Sequence, residues 1–488
     1  MSLVVRTSSG PVAGRLSGNV SSWRGIPYAA AERFGPAGPV TVWSGERDAT
    51  GPGPVGVQPA TGGGLTGVEA CLTLDVYAPR EAAGPLPVLF WVHGGAFQTG
   101  AAADYDGSVL AAAGPAVVVA VSYRLGPFGF LQLGTVEEPA PSPAMTDLLA
   151  ALAWVGREVA GFGGDPDRVT LVGQSAGASL VCALLGTPAG QRARAAIALS
   201  VGGPAHDPAR SAEFGGRVLA ELGLAGTDLA ALRALPVEAV QAAAAAAGRT
   251  ARRESLGGVL WSPVVDGAVL PVDPATAIAA GALRDVPLWF GSCRDEMATF
   301  LRSGAEEASA VARGNVGDDA FDRLLAVYAG TAGAGEDPLQ ALLTDEMWVR
   351  PVEEMAVAQS AAGGRVWLSR WDHAPSLPPF DVLGPSHGAD NACLWAHPPR
   401  FVERPLLARP GGEMTAADLA ATRVLHDAVL GMVRSGSPAG ALPDWAPFAA
   451  EGRCTAVFDA GSRVESDPSA ERRRAWEAVS RSPRAAGR

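Results

Sequence analysis

From residue 86 to residue 200 the chain repeats one alternation: a short run of apolar residues, then a longer segment with apolar residues at helical spacing. "LPVLFWVHGG" (86–95) and "PAVVVAVSY" (115–123) are runs of strand length with no polar residue on alternate positions. Runs of that kind fit strands covered on both faces rather than on one. "TDLLAALAWVGREVAGF" (146–162) then reads as a helix without internal proline, "DRVTLVG" (167–173) as a strand and "AGASLVCALLG" (176–186) as another helix. Strand, helix, strand, helix with short connections predicts an α/β fold, with a large, mostly parallel, twisted sheet flanked by helices. Weaker strand signals recur at 195–200, 285–292 and 365–371. Residues 207–253, with the run "QAAAAAAG", and residues 297–362 read as helical insertions at one edge of that sheet.

Composition sets outer bounds. Hydrophobic residues make up 48 % of the 488, enough for an extensive core. A chain this long has room for about three domains of average size. Its composition shows no break, so a single domain over 1–475 is expected, followed by a flexible tail at 476–488. The net charge of −12, with no lysine at all, argues against a nucleic-acid partner. The N-terminus lacks the basic start and apolar core of a secretory signal, and no apolar run approaches the ~18 residues that would span a membrane. Five scattered cysteines (71, 182, 293, 393, 454) form no metal-ligand spacing and are odd in number. Free thiols in a reducing cytoplasm are the expectation.

"LVGQSAGASL" (171–180) places Gly173 and Gly177 symmetrically about Ser175, between a predicted strand and a predicted helix. A serine pushed out of a sharp strand-to-helix turn needs small neighbours, because strand and helix close in on either side. This G-x-S-x-G turn is the nucleophile elbow of α/β-hydrolases, and the helix start behind it supplies N–H groups where negative charge develops. A hydroxyl also needs a base and an acid, in the chain order serine, acid, histidine. Six histidines exist, at 93, 206, 373, 387, 397 and 426. His206 follows Ser175 too closely to leave room for an acid on an intervening strand, and His426 sits in a helical pattern. His387, in the glycine-bounded loop "LGPSHGAD", is the base expected. The acid should follow the strand in "LWFGSCRDEMATF" (288–300), where spacing does not separate Asp295 from Glu296. A second glycine-rich loop, "VHGGAFQTG" (92–100), follows an earlier strand and provides backbone N–H groups for an oxyanion.

With these motifs in place the chain resembles the type-B carboxylesterases, a family that includes cholinesterases and bacterial para-nitrobenzyl esterases. "EACLTLDVYAP" (69–79), "WVHGGAFQTG", "VSYRLGPFGFL" (121–131), "FGGDPDRVTLVGQSAGA" (162–178), "SPVVDG" (262–267), "GSCRDE" (291–296) and "GPSHGAD" (384–390) occur in the family's order along nearly the whole chain. The resemblance implies an α/β-hydrolase fold and a serine carboxylesterase acting on small to medium hydrophobic esters, with no cofactor and no metal. It assigns Ser175, Glu296 and His387 as the triad and the N–H groups of Gly95, Ala96 and Ala176 as the oxyanion hole. Gly94, Gln174 and Ser200 stand behind them, Ser200 as a support for the acid. Arg33 with Glu69 and Arg124 with Asp147 are implied charge pairs. Phe97, Phe300 and Trp395 are candidates for the substrate pocket. Three departures from the family pattern stand out: Gln174 for the usual glutamate, Ala70 for an aspartate, and Met297 for the glycine after the acid. All three triad residues persist, which weighs against a non-catalytic binding protein on the same scaffold. An amide, a lactone or a natural-product ester as substrate is not separated from a simple ester by fold.

Overall fold

The computed structural model describes residues 3–479 except 61, 203–207, 225, 227, 254–259, 302–304, 334 and 397–411. An 11-stranded sheet organises it. In chain order its strands are β1 (Arg15–Ser17), β2 (Val20–Pro27), β3 (Thr73–Pro79), β4 (Leu86–Val92), β5 (Val117–Val121), β6 (Gly164–Gln174), β7 (Ala195–Leu199), β8 (Leu288–Cys293), β9 (Val366–Trp371), β10 (Cys454–Phe458) and β11 (Arg463–Ser466). Across the sheet they lie in the order β11-β10-β9-β8-β7-β6-β4-β5-β3-β2-β1. From β5 to β10 every neighbouring pair is parallel. The flanking pairs at both ends are antiparallel.

The parallel centre is what the apolar runs predict, since each strand feeds both faces. In β4, Val88, Phe90 and Val92 enter one core layer, and Leu89 and Trp91 enter the layer on the opposite face. Helices α1 (Pro143–Glu158) and α2 (Ala176–Leu185) cover the first face. Helix α6 (Ala416–Ser435) covers the second through Leu425, Val429 and Val433. The antiparallel strands β1, β2, β3 and β11 do not stand out in the sequence: β1 and β11 are short edge strands with little apolar surface, and β2 and β3, though interior, have their apolar runs broken by polar residues such as Ser21, Ser22, Arg24 and Asp75.

The two insertions are helical: α3 (Pro208–Glu221), the short helix Leu229–Ala234 and α4 (Val237–Arg253) among the described residues of the first, and five α-helices, including α5 (Arg350–Ala361), with one π-helical turn (Asp345–Val349) among those of the second. They leave from the carboxyl ends of the interior strands β7 and β8, not from a lateral edge of the sheet, and so stand over the end where the site forms. Helix α7 (Ala470–Glu477) closes the described chain. Trp476, expected to open a loose tail, is 3 % exposed. Residues 480–488 of that tail lie outside the described residues.

Both expected charge pairs form. Arg33 grips Glu69 through two contacts of 2.8 and 2.5 Å. Arg124 binds Asp147 through Nε at 2.8 Å and Nη2 at 2.6 Å, and also donates to the carbonyl of Gly35 at 2.7 Å. Asp147 is fully buried, and desolvation holds its carboxyl above the usual range against the pull of Arg124. Removing one member of such a pair strands the other charge, at about 3–5 kcal/mol. Arg124→Met should lower the unfolding free energy by about that amount, read as a shift in the urea midpoint at constant m.

Candidate functional site

Ser175 lies between the last residue of β6 and the first of α2, with φ 58° and ψ −129°. That backbone is costly for a side-chain-bearing residue. The surroundings enforce it. Ser175 N–H donates to the Leu199 carbonyl at 2.9 Å, and its own carbonyl accepts from Ser179 N–H at 3.1 Å. A Cβ on Gly173 would stand 2.4 Å from the Gly177 carbonyl oxygen, and one on Gly177 only 2.0 Å from the Val92 carbonyl oxygen. The two glycines are therefore required by strand and helix crossing at contact distance, as the sequence argument held.

His387 arrives on the loop after β9. Its Nε2 accepts from Ser175 Oγ at 2.8 Å, and its Nδ1 donates to Glu296 Oε2 at 2.6 Å. Glu296 is fully buried, and its second oxygen accepts the Cys293 N–H at 2.7 Å. The structure thus separates the two adjacent acids. Asp295 faces away into an ion pair with Arg294 at 2.8 Å, while its backbone forms a bridge with Ser386 that brings the acid loop and the histidine loop together. Ser200, implied as a support for the acid, has its Oγ 4.0 Å from Cys293 Sγ; the support for Glu296 comes through the Cys293 backbone.

The loop after β4 holds Gly95 at φ 115°, Ala96 at 53° and Phe97 at 62°. Its curl is closed by Thr99, whose N–H and hydroxyl donate to the Gly95 carbonyl at 3.0 and 3.1 Å. Among the described residues no acceptor faces the N–H groups of Gly95, Ala96 or Ala176. Gly94 passes so close to the elbow that a Cβ there would be 2.7 Å from the Gln174 carbonyl oxygen. His93, under the loop, is buried, stacks on Tyr123 at 4.4 Å and donates from Nδ1 to the Gly94 carbonyl at 2.8 Å. Burial pushes its pKa down to about 4, so it is neutral and adds no charge beneath the loop.

The remaining histidines and aromatics sort cleanly. His373 donates to Asp418 at 2.7 Å, and His426 to the Leu394 carbonyl at 2.9 Å, both away from Ser175. His206 and His397 lie outside the described residues. Trp395 is not a pocket residue: it is fully buried on the far face of the sheet, 4.8 Å from Trp91 and 5.3 Å from Tyr105. Phe97 is likewise core, 3 % exposed with its ring 5.1 Å from Phe130. Phe300 does border the site, 38 % exposed and 5.2 Å from the His387 ring. Sequence reasoning missed Trp348, 4.4 Å from the same imidazole, because it comes from a helical insertion with no motif around it. Gln174 is buried with no hydrogen-bond partner for Nε2 among the described residues. No cluster of three or more metal-ligating side chains occurs among the described residues, and no described helix is long and apolar enough to cross a membrane.

A family model described as the carboxylesterase family matches residues 1–476. A para-nitrobenzyl esterase of Bacillus subtilis (strain 168) is 32 % identical over 96 % of this chain and 97 % of its own. A phenmedipham hydrolase of Pseudarthrobacter oxydans is 32 % identical over 95 % and 97 %. Among solved structures, a PNB esterase superposes with a TM-score of 0.85 at 31 % identity, covering 97 % of this chain and 99 % of that one. A carboxylesterase of Geobacillus stearothermophilus does so with 0.82 at 32 %, covering 97 % and 100 %.

Asp390, three residues after His387, is buried; desolvation first, and then the negative charge of Glu296, raise its carboxyl to about 7. A carboxyl raised in the folded state and ordinary in the unfolded state stabilises fully below about 4 and loses that stabilisation as pH rises through its folded value. Thermal unfolding of the wild type should therefore gain on Asp390→Asn as pH falls from 8 to 5, by an amount on the order of a few kcal/mol.

Proposed function

The chain belongs to the carboxylesterase family and is a carboxylic ester hydrolase, and from that premise we propose that Ser175, His387 and Glu296 carry its reaction, on small to medium hydrophobic esters. The observation that carries the proposal is the unbroken chain of contacts from Ser175 Oγ to His387 Nε2 at 2.8 Å and from His387 Nδ1 to Glu296 at 2.6 Å.

Ser175 Oγ attacks the acyl carbon while His387 Nε2 takes its proton. Glu296 holds the imidazole in the tautomer that accepts at Nε2 and stabilises the imidazolium that forms. The carbonyl oxygen becomes an oxyanion and is received by the N–H groups of Gly95, Ala96 and Ala176, of which the last opens helix α2. Those donors, fixed before substrate arrives, need no reorganisation as charge develops. His387 returns the proton to the departing alkoxide. Water, deprotonated by the same imidazole, then attacks the acyl-enzyme and releases the carboxylic acid. Every step is a proton or acyl transfer, so no cofactor or metal is required.

Hydrophobic selectivity is supported by Phe300 and Trp348 beside the histidine and by a cavity of about 550 Å³ that begins at Gln98, two residues past Ala96. Leu65, Phe214, Leu260 and Trp261 supply its apolar lining, and Glu238, Gln241 and Arg249 join Gln98 as its polar and charged groups. That volume falls within the about 300–1,000 Å³ usual for small-molecule sites. The partner is a small-molecule ester, and one catalytic unit over residues 1–475 is part of the same proposal. So is a cytoplasmic location, supported by five cysteines that are all free, four of them buried.

Ser175→Ala should lower turnover of para-nitrophenyl butyrate by about 10⁴-fold or more. An organophosphonate should label the wild type one-to-one and the variant not at all. Retained turnover in Ser175→Ala would remove Ser175 from the mechanism. In a chain-length series, kcat/KM should peak between acetate and hexanoate, and a maximum at palmitate would overturn the substrate size.

A further inference from the structure

We infer that Met297 and Trp348 form a lock that positions His387 on Glu296, making both positioning residues for the hydrolysis; the inference rests on the reading of His387 as the base. It accounts for the departure at 297, where a methionine follows the acid in place of the family's glycine.

The indole of Trp348 packs on the imidazole of His387 with ring centroids 4.4 Å apart and planes inclined by 43°. Its Nε1 donates to Met297 Sδ at 3.4 Å. Met297 follows Glu296 directly and is 2 % exposed. One side chain therefore touches the base and is bonded to the residue next to the acid. A second tie runs through the backbone, where Met297 N–H donates to Thr344 Oγ1 at 3.2 Å. Thr344 precedes a π-helical turn, Asp345–Val349, that presents Trp348. Phe300 closes the other side, stacked on Trp348 at 5.7 Å and 5.2 Å from His387.

The turn is anchored from outside the site. Asp345 accepts from the Tyr328 hydroxyl, which in turn accepts the indole N–H of Trp476 in helix α7 at 2.8 Å. Arg350, one residue past the turn, lies over the Trp476 ring at 4.1 Å. A glycine at 297 would offer neither the sulfur acceptor nor the bulk beneath the indole. The indole beside the imidazole would then have no tie to the residue next to the acid, and its place would rest on packing against Phe300 and on the π-helical turn.

Two substitutions that keep volume or ring test the lock. Met297→Leu removes the acceptor at nearly constant size, and Trp348→Phe removes the donor but keeps an aromatic face on His387. Each should lower kcat for para-nitrophenyl butyrate by about 3–10-fold with KM within twofold, because the loss falls on the step that needs the imidazole in place. Since both break one bond, the double variant should be no slower than the slower single one. Trp348→Ala, which removes the face as well, should lose about 30-fold or more, and Trp348→Phe should recover most of that. Thermal midpoints are measured alongside. Unchanged kcat in both conservative variants, fully multiplicative losses in the double, or losses that track the melting temperature would overturn the lock. If Ser175→Ala itself keeps its turnover, the failure lies with the base assignment instead.

Discussion

Everything at the site depends on one crossing of backbones. Where α2 leaves β6, its second residue passes the carbonyl of Val92 so closely that Gly177 has no room for a Cβ, and Gly173 faces the same helix with equally little. The closeness of that crossing keeps Ser175 in a conformation it would not adopt alone. The cost is met by the hydrogen bonds of the parallel sheet, which are formed whether or not the turn is strained. The same approach brings the start of α2 against the loop from β4, so the positions of Ser175 and of that loop are set by a single piece of geometry.

The sheet then solves a problem of distance along the chain. Ser175 and His387 are 212 residues apart, and His387 and Glu296 are 91 apart. Parallel neighbours place their carboxyl ends on one side, so β6, β8 and β9 deliver the three side chains to a common rim. Insertions on that rim supply walls without disturbing the strands beneath. Buried charge is confined to braced positions: Arg124 with Asp147, and Glu296 on a backbone N–H and an imidazole.

The legible part of this protein is the part fixed by local chain geometry. Gly173 and Gly177 announce a tight turn, the 88–92 and 117–121 runs announce strands covered on both faces, and the glycines at 94 and 95 announce a tightly curled loop, which packs against the turn at Ser175. What the sequence hides is set by tertiary direction. Asp295 and Glu296 are neighbours, yet one points to Arg294 and the other to His387, a difference that only the tertiary contacts around them show. Trp395 follows His387 by eight positions, but the short helix between them, Ala389–Leu394, carries it to the other face of the sheet. Trp348 is the converse case: remote in sequence from every motif, it reaches the imidazole because its π-helical turn is tied to Met297.

Helix α7 comes after every strand of the sheet, yet its Trp476 is bonded to Tyr328, which steadies the turn behind the histidine. During synthesis the strands that lead to Ser175, Glu296 and His387 leave the ribosome before the helix that fastens the wall beside them. A nascent chain therefore holds every strand of its sheet before the helix that secures the aromatic wall has been made.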